Sequence, residues 1–198
     1  MTKIMLPPNR PNITRERVEE IITQHRVNRA VYPLVIVGIR GYYEDTMGVK
    51  NRNDRGVYDD AICLLTDREF AAFNANTDPS RYGLNPKIGK GLAVLQAGVY
   101  YAYRFDTHGG SQPHAAICQR AGAVKVLRDG TPPTLETSAS LGINIHRGSI
   151  NSTSSEGCQT IPPPQWGDFY VLAEREARRL FGKHWKQQII PYVLVEQA

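Results

Sequence analysis

Apolar positions recur along this chain in two rhythms. Between residues 15 and 26, Val18, Ile21, Ile22 and His25 fall at helical spacing, whereas Arg15, Glu16, Glu19 and Glu20 fall on the opposite side. That spacing predicts an amphipathic helix, which Thr14 is placed to cap. The run Val31–Arg40 is β-branched and apolar and reads as a buried strand, with Pro33 near its start where the lost donor matters least. Val57–Thr66 reads as the next strand. Asp67 is then expected to cap a short helix reaching Phe73, ended by Asn76-Thr77-Asp78-Pro79 because proline disfavours helix at the residue before it. Leu92–Phe105 is a strand pair or one long strand bent at Gly98. Further strands are expected over Ala121–Arg128 and Gly142–His146, separated by the Asp129-Gly130-Thr131-Pro132-Pro133 turn. Helical spacing returns over Asp168–Phe181, where Tyr170, Val171, Leu172, Ala177 and Leu180 would face inward and Gly182 would end the helix. Ile189–Glu196 supplies a last strand. Residues 1–12 read as an extended, proline-rich arm, and 13–198 as a single β-rich α+β domain with an N-terminal and a C-terminal helix.

Composition narrows the setting. A chain of 198 residues that is 41% hydrophobic suits one domain, and 17 glycines with 13 prolines favour strands and loops over a helical bundle. No apolar run approaches the roughly 20 residues that cross a bilayer, so no membrane span is expected. The segment Met1–Pro8 is too short and too early broken by proline for a signal peptide, which points to synthesis in the cytoplasm. Three cysteines, an odd number, argue against a disulfide framework. Cys63 and Cys118 sit in apolar runs as small core residues. A net charge of +5 permits an anionic partner. The densest basic group, Arg175, Arg178, Arg179, Lys183 and Lys186, shares its segment with Glu174 and Glu176. It therefore reads as a solvated helix face, and no nucleic-acid partner is expected.

The candidate chemistry lies between residues 143 and 160. His146 leaves the alternating run Ile143-Asn144-Ile145, and Cys158 follows twelve residues later within Ser155-Glu156-Gly157-Cys158-Gln159-Thr160. A thiol becomes a strong nucleophile when an imidazole takes its proton, and a glycine beside it leaves backbone N–H groups accessible to an oxyanion. His108 and His114 join these two as a conceivable metal set. Neither a His-Glu-x-x-His helix nor a Cys-x-x-Cys pair accompanies them, so no metal or other cofactor is expected. A base downstream of the cysteine would be His184. That arrangement wants the cysteine at a helix N-terminus, where Pro162-Pro163-Pro164 is expected to prevent a helix. Asp59 and Asp60, adjacent on a strand, point to opposite faces and cannot flank one glycosidic bond; pairing with arginines such as Arg40 is the alternative.

Ile145-His146-Arg147-Gly148 and Ser155-Glu156-Gly157-Cys158 resemble the active-site signature of the L,D-transpeptidase catalytic-domain family, whose members remodel bacterial peptidoglycan through a cysteine acyl-enzyme. Leu95-Gln96-Ala97-Gly98-Val99-Tyr100 is similar to the strand beside that family's catalytic loop. The resemblance implies a transpeptidase-like β-sandwich core, Cys158 as nucleophile and His146 as general base. It also implies that Gly157 and the Cys158 N–H line an oxyanion site, with Ser155 and Gly148 shaping the loop. His108, Gln159, Thr160 and Arg147 are the substrate-binding candidates. The chain departs from the family by inserting Arg147 before Gly148, by a shorter interval from His146 to Cys158, and by Thr160 where an arginine is usual. Arg147 is a substitute source for that charge. Ile39-Arg40-Gly41-Tyr42-Tyr43, Asp54-x-Gly56-x-Tyr58-Asp59-Asp60, Asn74-x-Asn76-Thr77-Asp78-Pro79 and Gln159-Thr160-Ile161-Pro162-Pro163 look like a group of bacteriophage and prophage proteins of about this length. Together these imply a phage-encoded enzyme on peptidoglycan stem peptides, made in the host cytoplasm and acting from the virion or at the periplasmic cell wall. The alternative they leave open is a virion structural or wall-binding protein without turnover, partnered by other virion proteins.

Overall fold

The computed structural model describes residues 6–109 and 112–197, and the fold is a β-rich α+β arrangement with one large sheet and two α-helices. Helix α1 covers Arg15–Gln24, with the Thr14 side chain accepting from the Arg17 N–H and Val18, Ile21 and Ile22 buried. Strands β1 (Val35–Arg40), β2 (Asp60–Leu65) and β3 (Phe70–Ala75) follow, then the short pair β4 (Leu84–Asn85) and β5 (Lys90–Gly91). Next come β6 (Ala93–Leu95), β7 (Gly98–His108), β8 (His114–Gln119), β9 (Val124–Arg128), β10 (Thr134–Ser138), β11 (Ile145–Arg147) and β12 (Gln159–Ile161). Helix α2 (Pro163–Phe181), a 3-10 turn (Gly182–Gln187) and β13 (Ile190–Glu196) complete the chain.

Eight strands form the main sheet in the order β12-β11-β8-β7-β13-β1-β2-β3, and β10-β9-β6 form a smaller one. Its central strands are apolar on both faces because both faces are covered. Val35, Val37, Ala61, Cys63, Leu65 and Val193 pack with Val18, Ile21 and Ile22 of α1. Their alternating neighbours Ile36, Ile62, Leu64, Tyr192 and Leu194 pack with Val124 and Val126 of the small sheet and with Phe169, Ala173 and Ala177 of α2. The edge strands β3 and β12 meet at an antiparallel bridge, in which the Asn76 and Thr160 backbones exchange hydrogen bonds of 2.9 and 2.8 Å. The sheet therefore curls until its two edges touch at this point, removing the open edge behind the candidate nucleophile.

Three expectations are corrected. The helix expected over Asp67–Phe73 is instead a hairpin running into β3, with Leu65 opposite Phe70 and Asp60 opposite Ala75. Thr66 closes the turn: its Oγ1 accepts from the Arg68 and Glu69 N–H groups, and long-range pairing outweighs local helix preference. The triproline does not hold off a helix but begins one, with Pro162 as N-cap and Pro163 and Pro164 in the first turn, where their missing N–H groups have no intrahelical acceptor. The buried face of α2 is Phe169, Ala173, Glu176 and Ala177, a four-residue spacing, and Val171 is 65% exposed. The last strand, β13, lies between β7 and β1 in the middle of the sheet.

Candidate functional site

His146 and Cys158 arrive side by side because β11 and β12 pair in parallel, with Ile145 opposite Gln159 and His146 opposite Thr160. The loop between them folds back at Ser155, whose Oγ accepts from the Gly157 N–H at 3.0 Å and donates to the Cys158 carbonyl at 2.7 Å. Gly157 has φ +147, and a Cβ there would lie 2.6 Å from the Ala93 carbonyl, so the backbone path into the cysteine requires glycine. Gly148 is needed for space: a Cβ would lie 2.2 Å from the Tyr58 hydroxyl.

The dyad opens on a cleft of about 570 Å³ whose walls include His108, His146, Cys158, Gly142, Arg81 and Glu156. One side-chain donor atom from each of His108, His146 and Cys158 lies within 4.8 Å of the others. The His146 Nδ1 sits 2.7 Å from the Arg147 carbonyl, which only accepts, so Nδ1 carries the proton and Nε2 keeps its lone pair. Burial first, then the neighbouring His108 and His114, pulls His146 down to about 4, although its bond to the Arg147 carbonyl works the other way. The imidazole is therefore neutral at neutral pH and competent to accept a proton. The Cys158 thiol is pushed up to about 11, mainly by burial. Its Sγ lies 3.4 Å from the Gly142 carbonyl, toward which the S–H points, and accepts from the Asn144 N–H at 3.4 Å. The resting pair is thus a neutral thiol beside a neutral imidazole, and the S–H must swing from Gly142 toward His146 before attack.

The oxyanion side differs from expectation. The Gly157 N–H is committed to Ser155 and cannot serve. The next peptide can. Its carbonyl, Gly157 O, accepts from the fully buried Gln159 Nε2 at 3.1 Å, and Gln159 Oε1 in turn accepts from the Tyr192 hydroxyl at 3.0 Å. In a trans peptide the N–H points opposite to the C=O, so holding Gly157 O in the core turns the Cys158 N–H outward. That N–H makes no hydrogen bond among the described residues.

Gln159 and Thr160 are accordingly corrected from substrate contacts to supports, both with no exposed surface, the first holding a peptide and the second closing the sheet. Arg147 is exposed and alternates with His146 on β11, lining a neighbouring hollow instead of the one at the thiol, so it does not replace the missing cation. Arg40 pairs with Asp78 at 3.3 Å; Asp60 accepts instead from the Gly41 and Thr77 N–H groups at 2.6 and 2.5 Å. Two contributors were missed. Arg81 lines the cleft and bonds only to the Tyr82 and Leu84 carbonyls, making no ion pair among the described residues. Asn144, a polar residue between two isoleucines, turned out to link the strand to His108; that interruption of the apolar run was the available signal.

The His108, His146 and Cys158 donor set is compact enough to invite a soft divalent metal. Asn144 opposes it. Its Oδ1 accepts from the Gln119 backbone N–H at 2.9 Å, which leaves Nδ2 to donate to His108 Nδ1 at 2.9 Å and places the His108 proton on Nε2. No family model matches this chain, and neither the curated proteins nor the solved structures contain a match to it.

Proposed function

We propose that the chain is a phage-encoded, cysteine-dependent acyl-transfer enzyme acting on the peptide portion of bacterial peptidoglycan. The observation that carries the reaction type is the neutral His146, its Nε2 and the Cys158 N–H both without a hydrogen bond among the described residues, beside Cys158 on the wall of one cleft. Sγ attacks a peptide carbonyl while His146 Nε2 takes the thiol proton. The carbonyl electron pair moves onto oxygen beside the Cys158 N–H, and its return expels the amine, which leaves with the proton held by His146. Water or a second amine then releases the acyl group. The peptidoglycan substrate rests on the resemblance of residues 145–148 and 155–158 to L,D-transpeptidases. It is supported by Arg81 and Glu156 on the cleft wall, one cation and one anion suited to an amino-acid head group such as that of diaminopimelate. Incubation with purified peptidoglycan fragments tests this: mass analysis should show an altered stem peptide with the wild type and none with Cys158→Ala.

One observation favours a second reading, a virion structural or wall-binding protein without turnover. The thiol is held neutral by burial, with its proton directed at Gly142 and no cation among the groups that set its acidity. Retention on insoluble peptidoglycan by both the wild type and Cys158→Ala, with no change in the muropeptides, would select it.

A further inference from the structure

The acyl-transfer reading leaves the oxyanion with a single backbone donor, since Ser155 consumes the Gly157 N–H. One well-placed donor is fewer than such sites ordinarily present. His108 stands across the same cleft, half-buried, with its ring stacked on His146 at 4.4 Å between centroids. Its tautomer is dictated from behind. The Gln119 backbone N–H can only donate, which fixes Asn144 Oδ1 toward it and Asn144 Nδ2 toward His108 Nδ1. Asn144 itself is buried at 3% exposure, so this orientation cannot easily reverse. With Nδ1 accepting from the protein interior, a neutral His108 carries its proton on Nε2, on the far side of the ring from Asn144. Burial and the neighbouring His114 and Arg120 lower its proton affinity, which keeps the ring neutral.

We propose that His108 is the second oxyanion donor, presenting Nε2–H to the carbonyl oxygen of the bound peptide, and that Asn144 is the positioning residue that holds it in that form. As the C–S bond forms, the carbonyl electron pair moves to oxygen, and the His108 N–H hydrogen-bonds to it without giving up its proton. The proton on sulfur goes to His146. The two histidines thus divide the chemistry through opposite tautomers: Nδ1–H with a basic Nε2 at His146, and an acceptor Nδ1 with an Nε2–H donor at His108. This proposal rests on the acyl-transfer reading.

Two reactions of the same thiol separate the roles. Acylation by a carbapenem develops an oxyanion, whereas alkylation by iodoacetamide does not. His108→Ala should slow acylation on the order of a hundredfold. It should slow alkylation far less, because His108 is not among the groups that set the Cys158 acidity and reaches the thiol reaction only through its stacking on His146. His108→Gln, which keeps a side-chain N–H, should recover part of the loss, and His146→Ala should slow both reactions. In the wild type, long-range nitrogen–proton NMR of the imidazoles should show His108 with a bare Nδ1 and a protonated Nε2. Asn144→Asp, which can only accept, should move that proton to Nδ1. A protonated Nδ1 in the wild type overturns the proposal, as does His108→Ala that slows both reactions equally or neither. A wild type that alkylates but is never acylated removes the acyl-transfer reading and this role with it, whereas normal acylation of His108→Ala removes this role alone.

Discussion

Two regions of the molecule bury ionisable groups and, apart from Asp59 Oδ1, which lacks a partner among the described residues, treat them in opposite ways. At the ends of β1 and β2, Asp60 spends each oxygen on a backbone N–H, Arg40 pairs with Asp78 and bonds Thr77, and Tyr58 donates to the Ser149 carbonyl. On the far edge, around β11 and β12, the polar groups are held firmly from one side and left open on the other. Among the described residues, His146 is anchored at Nδ1 and free at Nε2, His108 is anchored at Nδ1, and the peptide before Cys158 is anchored by its oxygen and free at its N–H. A polar group that is satisfied everywhere serves the fold. One that is fixed at one end with its other valence facing a cleft is preorganised for a ligand, because its orientation costs nothing further when the ligand arrives.

The largest expected effect falls on the dyad. His146→Gln should lower acylation of Cys158 by on the order of 10² or more, the usual weight of a general base, with an unchanged melting temperature; a loss of fold in place of rate would make His146 a structural histidine. Next is the backbone path. Gly157→Ala forces a side chain into φ +147 and against the Ala93 carbonyl at 2.6 Å, so it should cost about 1–3 kcal/mol in denaturant melts and abolish the adduct. Tolerance of alanine there would show that the loop is not held as described.

The two regions should also answer differently to pH. His146 must be neutral to act, and burial brings it to about 4. The acid limb of the acylation rate should therefore lie well below the value of about 6.5 for a free imidazole; a limb at 6.5 or above would contradict the buried base. In the other region, burial and then the charge of Asp60 raise Asp59 above the ordinary carboxylate range. A carboxyl raised in the folded state binds its proton more tightly there than when unfolded. Stability should consequently decline as pH climbs from about 4 through the raised value, and Asp59→Asn should flatten that decline. An unchanged profile would mean that Asp59 is ionised at little cost. The smallest effect concerns labelling: in the folded protein Cys158, half-buried, should react with iodoacetamide before the fully buried Cys63 and Cys118.

Local signals revealed much of this architecture and misled where long-range partners decided the outcome. Thr14 and the Val18, Ile21, Ile22 stripe sufficed for α1, and β-branched runs sufficed for β1 and β13. Phe70–Ala75 carries no strong local preference, and only its pairing with β2 makes it a strand. The proline run looks like a barrier along the chain, yet it begins α2, whose first turn does not use the N–H groups that prolines lack. At the candidate site, the motif singles out His146 and Cys158, and the parallel pairing of β11 with β12 brings the two side by side. It does not single out the supports: Gln159, Thr160 and Asn144 act through partners on Tyr192, Asn76 and Gln119, and no spacing along the chain reveals those contacts.

In the proposed reaction Cys158 forms a covalent acyl bond with help from a neutral His146. The most direct test of that step is intact-protein mass measurement after incubation with peptidoglycan muropeptides and, separately, with a carbapenem. A single adduct on the wild type, mapped to Cys158, reduced with His146→Gln and absent from Cys158→Ala, is the expected result. A folded wild type that gains no mass from either reagent, while remaining bound to insoluble peptidoglycan, would contradict it.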